Sequence, residues 1–263
     1  TIKNVKKNVV EYVLTNRLFI SYCILALFAT ICIRKFTINS VFRIKPLITD
    51  LGLILLIGSF GYFVKPKNQF KYYFTWLIII NLACLISSIY YRFFTSFASI
   101  GELATVGQTE TVKGSIFDRL KIYDFIYIII PFIFYLIHKK LLSSVYYSFI
   151  DKIEKSKKMF IATFCVGIVF VGYSLGVAKN SDYSRLAKQW NRLYIVERFG
   201  IIMYQVNDFV QYLTPQISSL FGQEKATELF NDYFNTKEKT KENKYTGVLT
   251  GNNIVFVHME CMQ

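Results

Sequence analysis

Two side chains near the carboxyl end of this chain have the types and spacing of a metal site. His258 and Glu260 stand two residues apart in Asn252 to Cys261 (NNIVFVHMEC), where a polar step leads into an Ile-Val-Phe-Val run that reads as a buried β-strand. Side chains two apart on a strand share a face, and ligands in open α/β sheets gather beyond the carboxyl ends of strands. A carboxylate placed there suits a hard divalent cation such as Mn2+ or Mg2+, which makes Glu260 the candidate metal ligand. Taken alone, such a carboxylate is more often a cap or a solvated group, and a lone imidazole more often a structural one.

A second set of residues carries charge suited to phosphate. Arg92, Arg119 and Lys121 bracket a long segment, 92–121, whose start is aromatic and whose middle is rich in Gly, Thr and Ser. That pattern suits a short helix in the headgroup region followed by an exposed turn, with the three cations open to a lipid phosphate. The plainer alternative is a loop shielding helix ends. Further on, Arg185, Arg192 and Arg198 alternate with Leu186, Trp190, Leu193 and Ile201 at helical spacing. The spacing predicts a basic, aromatic amphipathic helix over 184–213 that lies along an anionic membrane surface; packing on a following domain is the other reading.

These residues need a scaffold, and composition says which kind. The 263 residues are 53% hydrophobic and 17% aromatic yet carry a net charge of +14, so apolar and basic residues must be segregated along the chain. With 25 Phe and 19 Tyr, a disordered basic tail or histone-like nucleic-acid binder is excluded. The apolar residues gather in five blocks near the length a bilayer demands: Leu18 to Ile33, Leu47 to Val64, Tyr72 to Tyr91, Ile122 to Ile137 and Met159 to Ala178. The fold class is therefore all-α membrane, with juxtamembrane amphipathic helices and the first strand of an α/β domain. The basic start of the chain reads as a signal anchor, since further spans follow.

Lys and Arg are denser on the side that holds the amino terminus and the lysine-rich loop 139–158. This bias places the amino terminus in the cytoplasm and the residues after Ala178 outside the cell. Cys23, Cys32, Cys84 and Cys165 sit inside spans, and no CxxC spacing marks a metal or disulfide framework. After a helical stretch, Gln223 to Phe234, comes a charged tether, Asn235 to Lys244. The expected organisation is a transmembrane domain over 1–178, extracellular juxtamembrane helices and linker over 179–250, and the opening of a catalytic domain over 251–263. A buried strand needs neighbours, so the chain is expected to be the front part of a longer protein.

Several stretches resemble the lipoteichoic acid synthase family, membrane-anchored members of the alkaline phosphatase/sulfatase superfamily. Tyr90-Tyr91-Arg92-Phe93-Phe94 with Phe97 is similar to the family's segment after the third span, and Tyr123-Asp124 to its pair entering the fourth. Arg192-Leu193-Tyr194-Ile195-Val196 resembles its juxtamembrane stretch, and Asn253 to Glu260 its first catalytic-domain strand. The chain departs from the family pattern at Ser96, where an acidic residue is usual, and at Cys261, where Ser is common. The resemblance implies a sulfatase-like phosphoglycerol transferase that moves glycerol phosphate from phosphatidylglycerol to a polyglycerol-phosphate chain or glycolipid acceptor. It also implies a Thr nucleophile beside Mn2+ or Mg2+ and a covalent phospho-enzyme. Glu260 matches the family's metal-ligating glutamate; the nucleophile is expected beyond Gln263, so the chain as given is expected to be inactive and to bind no metal alone. Implied partners are anionic lipid, the polymer and cell-wall synthesis membrane proteins, with no nucleic acid, in a bacterial cell membrane. A phosphoethanolamine transferase-type relative and a non-enzymatic scaffold or transporter subunit are the alternatives.

Overall fold

The protein is described by a computed structural model covering residues 16–41, 43–105, 119–141, 153–237, 241, 243–253 and 255. Among the described residues, five helices are long and apolar enough to cross a membrane: Arg17–Phe36, Ile44–Phe63, Lys67–Phe94, Ile122–Lys140 and Lys157–Gly176. A span must satisfy every backbone N–H and C=O internally, and the uninterrupted apolar runs do so as helices. We number the helices α1 (Arg17–Phe36), α2 (Ile44–Ser59, extended by a 3-10 turn, Phe60–Phe63), α3 (Pro66–Phe94), α4 (Ile100–Thr105), α5 (Ile126–Leu141, preceded by a 3-10 turn, Ile122–Phe125) and α6 (Ile153–Gly176). All five expected spans are present. Helix α3 outruns its apolar block because Pro66 at its first position and the left-handed Thr95 (φ 49) after its last, not hydropathy, set its ends.

Packing follows membrane rules. Helix α2 lies most extensively against α6, and the crossing is made by two glycines. A Cβ at Gly167 would stand 2.8 Å from Leu56 Cγ and 3.0 Å from Gly52 O; one at Gly52 would stand 3.0 Å from Phe170 Cβ. In lipid there is little hydrophobic drive between helices, so close backbone approach and interhelical hydrogen bonds do the holding. The Thr49 hydroxyl supplies one, donating to Ser174 Oγ at 2.6 Å. Tyr22, Ala26, Ala29 and Ile33 of α1 and Leu77 of α3 are buried in the bundle. Ile128, Ile129 and Phe132 of α5 and Ile161, Ile168 and Val169 of α6 are exposed, as lipid-facing side chains are.

Beyond α6 the expected single helix over 184–213 is three: α7 (Asn180–Lys188), α8 (Arg192–Phe199) and α9 (Ile201–Thr236). The first break is Gln189, left-handed at φ 52, after which Asn191 caps α8 by accepting the Tyr194 N–H at 2.9 Å. The second is Gly200 at φ 91, where a Cβ would overlap the Asp50 carboxylate. Apolar spacing runs on through both breaks, which is why periodicity joined them. The chain divides into two compact units, 1–214 and 215–263. The second contains the rest of α9, starting at Pro215 and including the expected helix at Gln223 to Phe234, followed by turns over 244–251. The expected strand lies outside the described residues except for Asn252, Asn253 and Val255.

Candidate lipid-facing collar

Successive spans reverse direction, so the α1–α2 and α3–α5 connections and the segment after α6 fall at one end of the bundle. Contacts between them build a collar there, organised by carboxylates at helix starts. The first turn of a helix leaves backbone N–H groups without partners, and an acid in that turn can reach back to one. Asp124 does so to the Lys121 N–H at 2.9 Å, Asp182 to the Lys179 N–H at 3.0 Å and Glu102 to the Ser99 N–H at 3.2 Å. Each of these acids also receives an arginine from another element.

Arg92, at the end of α3, gives Nη1 to Asp124 Oδ2 at 2.8 Å and to the Arg119 carbonyl at 2.6 Å, while Nη2 donates to Asp124 Oδ1 and to Ser88 Oγ. The pair is enclosed, with 11% and 1% of the two side chains exposed. Arg198 of α8 donates from Nε to Asp182 Oδ2 at 3.3 Å and from Nη2 to the Val177 carbonyl at 3.1 Å. The Tyr194 hydroxyl donates to the other oxygen of Asp182, and this bond, ahead of the Lys179 N–H and the Arg198 charge, holds that carboxyl below its ordinary range despite burial. Arg192 Nη1 lies 2.8 Å from both Glu102 oxygens and 3.1 Å from the Phe97 carbonyl. Burial pushes the Glu102 carboxyl up, but hydrogen bonds from Arg192, Tyr90 and the Ser99 N–H outweigh it and leave it lowered.

Two further carboxylates cap helices across the chain. Asp208 of α9 accepts the Ile100 N–H at 2.7 Å and the Ser99 hydroxyl at 2.8 Å, fixing the start of α4. Asp50, fully buried in α2, accepts the Ile202 N–H at 3.1 Å and so caps α9. The start of α9 is thereby tied to the second span by a buried carboxylate.

The seven basic and aromatic residues expected at a lipid surface thus separate. Arg92, Arg192 and Arg198 are ion-paired with Asp124, Glu102 and Asp182, Arg198 through its Nε alone. Arg119, Lys121, Arg185 and Trp190 are exposed, Trp190 to 83%. Aromatic rings back these cations, with Arg119 5.3 Å from the Phe93 centroid, Lys121 5.9 Å from Tyr123 and Arg185 4.2 Å from Tyr194, and Trp190 itself lies 4.6 Å from Lys188. Glu260 and His258 lie outside the described residues. Among the described residues no group of three or more His, Cys, Asp or Glu could hold a metal ion. Sequence reading passed over Glu102, Asp182 and Asp208. For the first two a signal existed, an acid three residues after a helix break (Ser99 to Glu102, Lys179 to Asp182); Asp208 is in a helix interior and carried none.

The chain matches the family model described as the lipoteichoic acid synthase N-terminal domain over residues 2–219. Among curated proteins, it is 27% identical over 220 residues to the lipoteichoic acid synthase of Staphylococcus saprophyticus and 25% identical over 220 residues to that of Staphylococcus aureus. In both cases the match covers 82% of this chain and 33% of the relative, so the chain spans about a third of the length of the curated relatives it matches. No solved structure matches it.

Proposed function

Because this chain belongs to the lipoteichoic acid synthase N-terminal domain family, we propose that it is the membrane-anchoring and lipid-presenting portion of a phosphoglycerol transferase. In this reading the enzyme moves glycerol phosphate from phosphatidylglycerol to a polyglycerol-phosphate chain or glycolipid acceptor through a metal-assisted covalent intermediate. The amino terminus is cytoplasmic and the collar faces outward, where cell-wall synthesis proteins of the membrane are its neighbours. Manganese or magnesium belongs to the catalytic portion, with Glu260 as a ligand. The described residues offer no ligand set for it.

The observation that carries the reading is the collar. A donor lipid confined to the bilayer is best met by an enzyme held at the same height, which replaces a search in three dimensions by one in two. A rigid collar sets that height only if its helices are fixed to the spans, and Asp124, Asp182, Glu102 and Asp50 fix them. Arg119, Lys121, Arg185 and Trp190 then touch the headgroup layer. Charge reversal at Arg119, Lys121 and Arg185 in the full-length enzyme should lower glycerol-phosphate transfer on phosphatidylglycerol vesicles by about tenfold, at about 1 kcal/mol per basic residue partly screened. Transfer from a soluble headgroup analogue should change little; equal losses on both substrates would sink the proposal.

A further inference from the structure

A cleft of about 470 Å³ opens in the collar between the start of α2 and helix α8, lined by Arg43, Ile44, Lys45, Pro46, Tyr194, Glu197 and Arg198. None of the cation contacts expected from sequence drew attention to Arg43 or Lys45. Three cations face one carboxylate here, and that carboxylate is already engaged, with Arg43 Nη1 at 3.1 Å from Glu197 Oε2. Lys45 is exposed and has no acid paired with it among the described residues. Arg198 is 9% exposed, and although Nε and Nη2 are satisfied, its Nη1 has no hydrogen-bond partner. A buried guanidinium N–H without a partner costs free energy that a bound acceptor would recover.

The helix that forms the other wall adds to this. Helix α2 is 16 residues long and starts at the cleft, with Arg43 as its N-cap, no side-chain cap and no acid in its first turn. Pro46 has no N–H, so the first-turn donors at this end are the Ile44 and Lys45 amides, which with the positive dipole end of α2 border the same cleft as the Lys45 and Arg198 side chains. Asp124, Asp182, Glu102, Asn191 and Asp50 cap the other collar helices; this one is left open. Ile44 and Pro46, at the point where the second span begins, give the cleft an apolar side next to the bilayer.

We propose that this cleft is a binding site for a phosphodiester monoanion, with Lys45, Arg198 and the first-turn backbone of α2 around the phosphate and Ile44 and Pro46 against the glycerol. The inference deepens the reading above by giving the anionic donor a defined seat, and that reading survives without it. Two sources share the chemistry: the headgroup of phosphatidylglycerol and a free glycerophosphodiester.

The chain, purified in a neutral detergent, is titrated with short-chain phosphatidylglycerol, with phosphatidylcholine and with deacylated glycerophosphoglycerol, and bound ligand is counted by native mass spectrometry. One phosphatidylglycerol should be retained in preference to phosphatidylcholine. K45E should weaken that retention at least tenfold, whereas K35Q, an exposed change at the same end outside the cleft, should leave it intact. E197Q should tighten it several-fold, a gain that misfolding cannot produce, and melting curves of all three variants should overlay. Retention of glycerophosphoglycerol with the same variant pattern supports the site and shows that the headgroup alone suffices; retention of the lipid alone supports it and assigns the bilayer as the source. Equal binding by K45E, E197Q and the parent chain overturns the site. The same variants assayed for transfer in the full-length enzyme separate the two readings. Intact surface-dependent transfer with no cleft binding removes the cleft alone.

Discussion

The carboxylate of Asp50, buried in the second span, accepts the backbone N–H of Ile202 at 3.1 Å. One side chain therefore belongs to the membrane bundle by position and to the collar by its hydrogen bond. Its other oxygen has no hydrogen-bond partner, and Arg34 of α1, likewise fully buried with Nη1 and Nη2 without partners, is an opposite charge within the same bundle that makes no direct ion pair with it. Replacing Asp50 by Leu should cost about 3–5 kcal/mol, the range for stranding one member of a buried charged pair. The doubly substituted chain, Arg34→Met with Asp50→Leu, should recover most of the loss in a thermal melt. Hydrogen exchange at Ile202 should stay fast in both, because neither retains the cap.

The α2–α6 crossing makes a sharper steric prediction. Gly167→Val must push a branched side chain into Leu56 and the Gly52 carbonyl, so it should destabilise the bundle by about 1–3 kcal/mol through overpacking. Gly172→Ala, five residues along the same helix, meets nothing within 4 Å and should be neutral or slightly stabilising. A comparison of the two by denaturation in detergent tests whether close approach, and not helix propensity, is why Gly stands at 167.

Arg92 can be asked directly whether it serves the fold or the lipid. Its removal as Arg92→Ala leaves Asp124, 1% exposed, buried without its cation, and should cost about 3–5 kcal/mol. Because the loss is internal, melting should fall equally in neutral detergent and in phosphatidylglycerol bicelles. A loss seen only with the anionic lipid would assign the side chain to the headgroup instead.

These particulars show what the sequence could and could not reveal. The five spans were legible because a bilayer imposes one requirement, length of apolar helix, that a linear reading can measure. The Arg92 and Asp124 positions were legible as types, but not as partners, because their meeting depends on where α3 ends relative to where α5 begins across an intervening loop. The breaks at Gln189 and Gly200 escaped because hydrophobic spacing continued through them; the φ values that stop the helices depend on Asn191 capping and on Asp50 arriving from 150 residues earlier in the chain. The cleft escaped for the same reason. Lys45 and Arg198 belong to different segments, and nothing in either segment announces the other.

Acid should loosen one part of the collar before the bundle. Asp182 has its carboxyl lowered below the ordinary value, chiefly by the hydrogen bond from Tyr194. A depressed acid stabilises the fold fully above its unfolded pKa, about 4 for Asp, and that contribution fades as pH falls through the lower folded value. Protonation removes the counter-charge of Arg198, so α7 and α8 should part while the spans hold. Hydrogen exchange over 180–199 should therefore accelerate as pH drops from about 5 toward 3, after correction for the intrinsic pH dependence of exchange, with residues 72–91 unchanged. Asp182→Asn should show the accelerated exchange already at neutral pH and little further response to acid. If the variant instead follows the parent chain across the whole range, the carboxylate of Asp182 is not what holds α7 to α8.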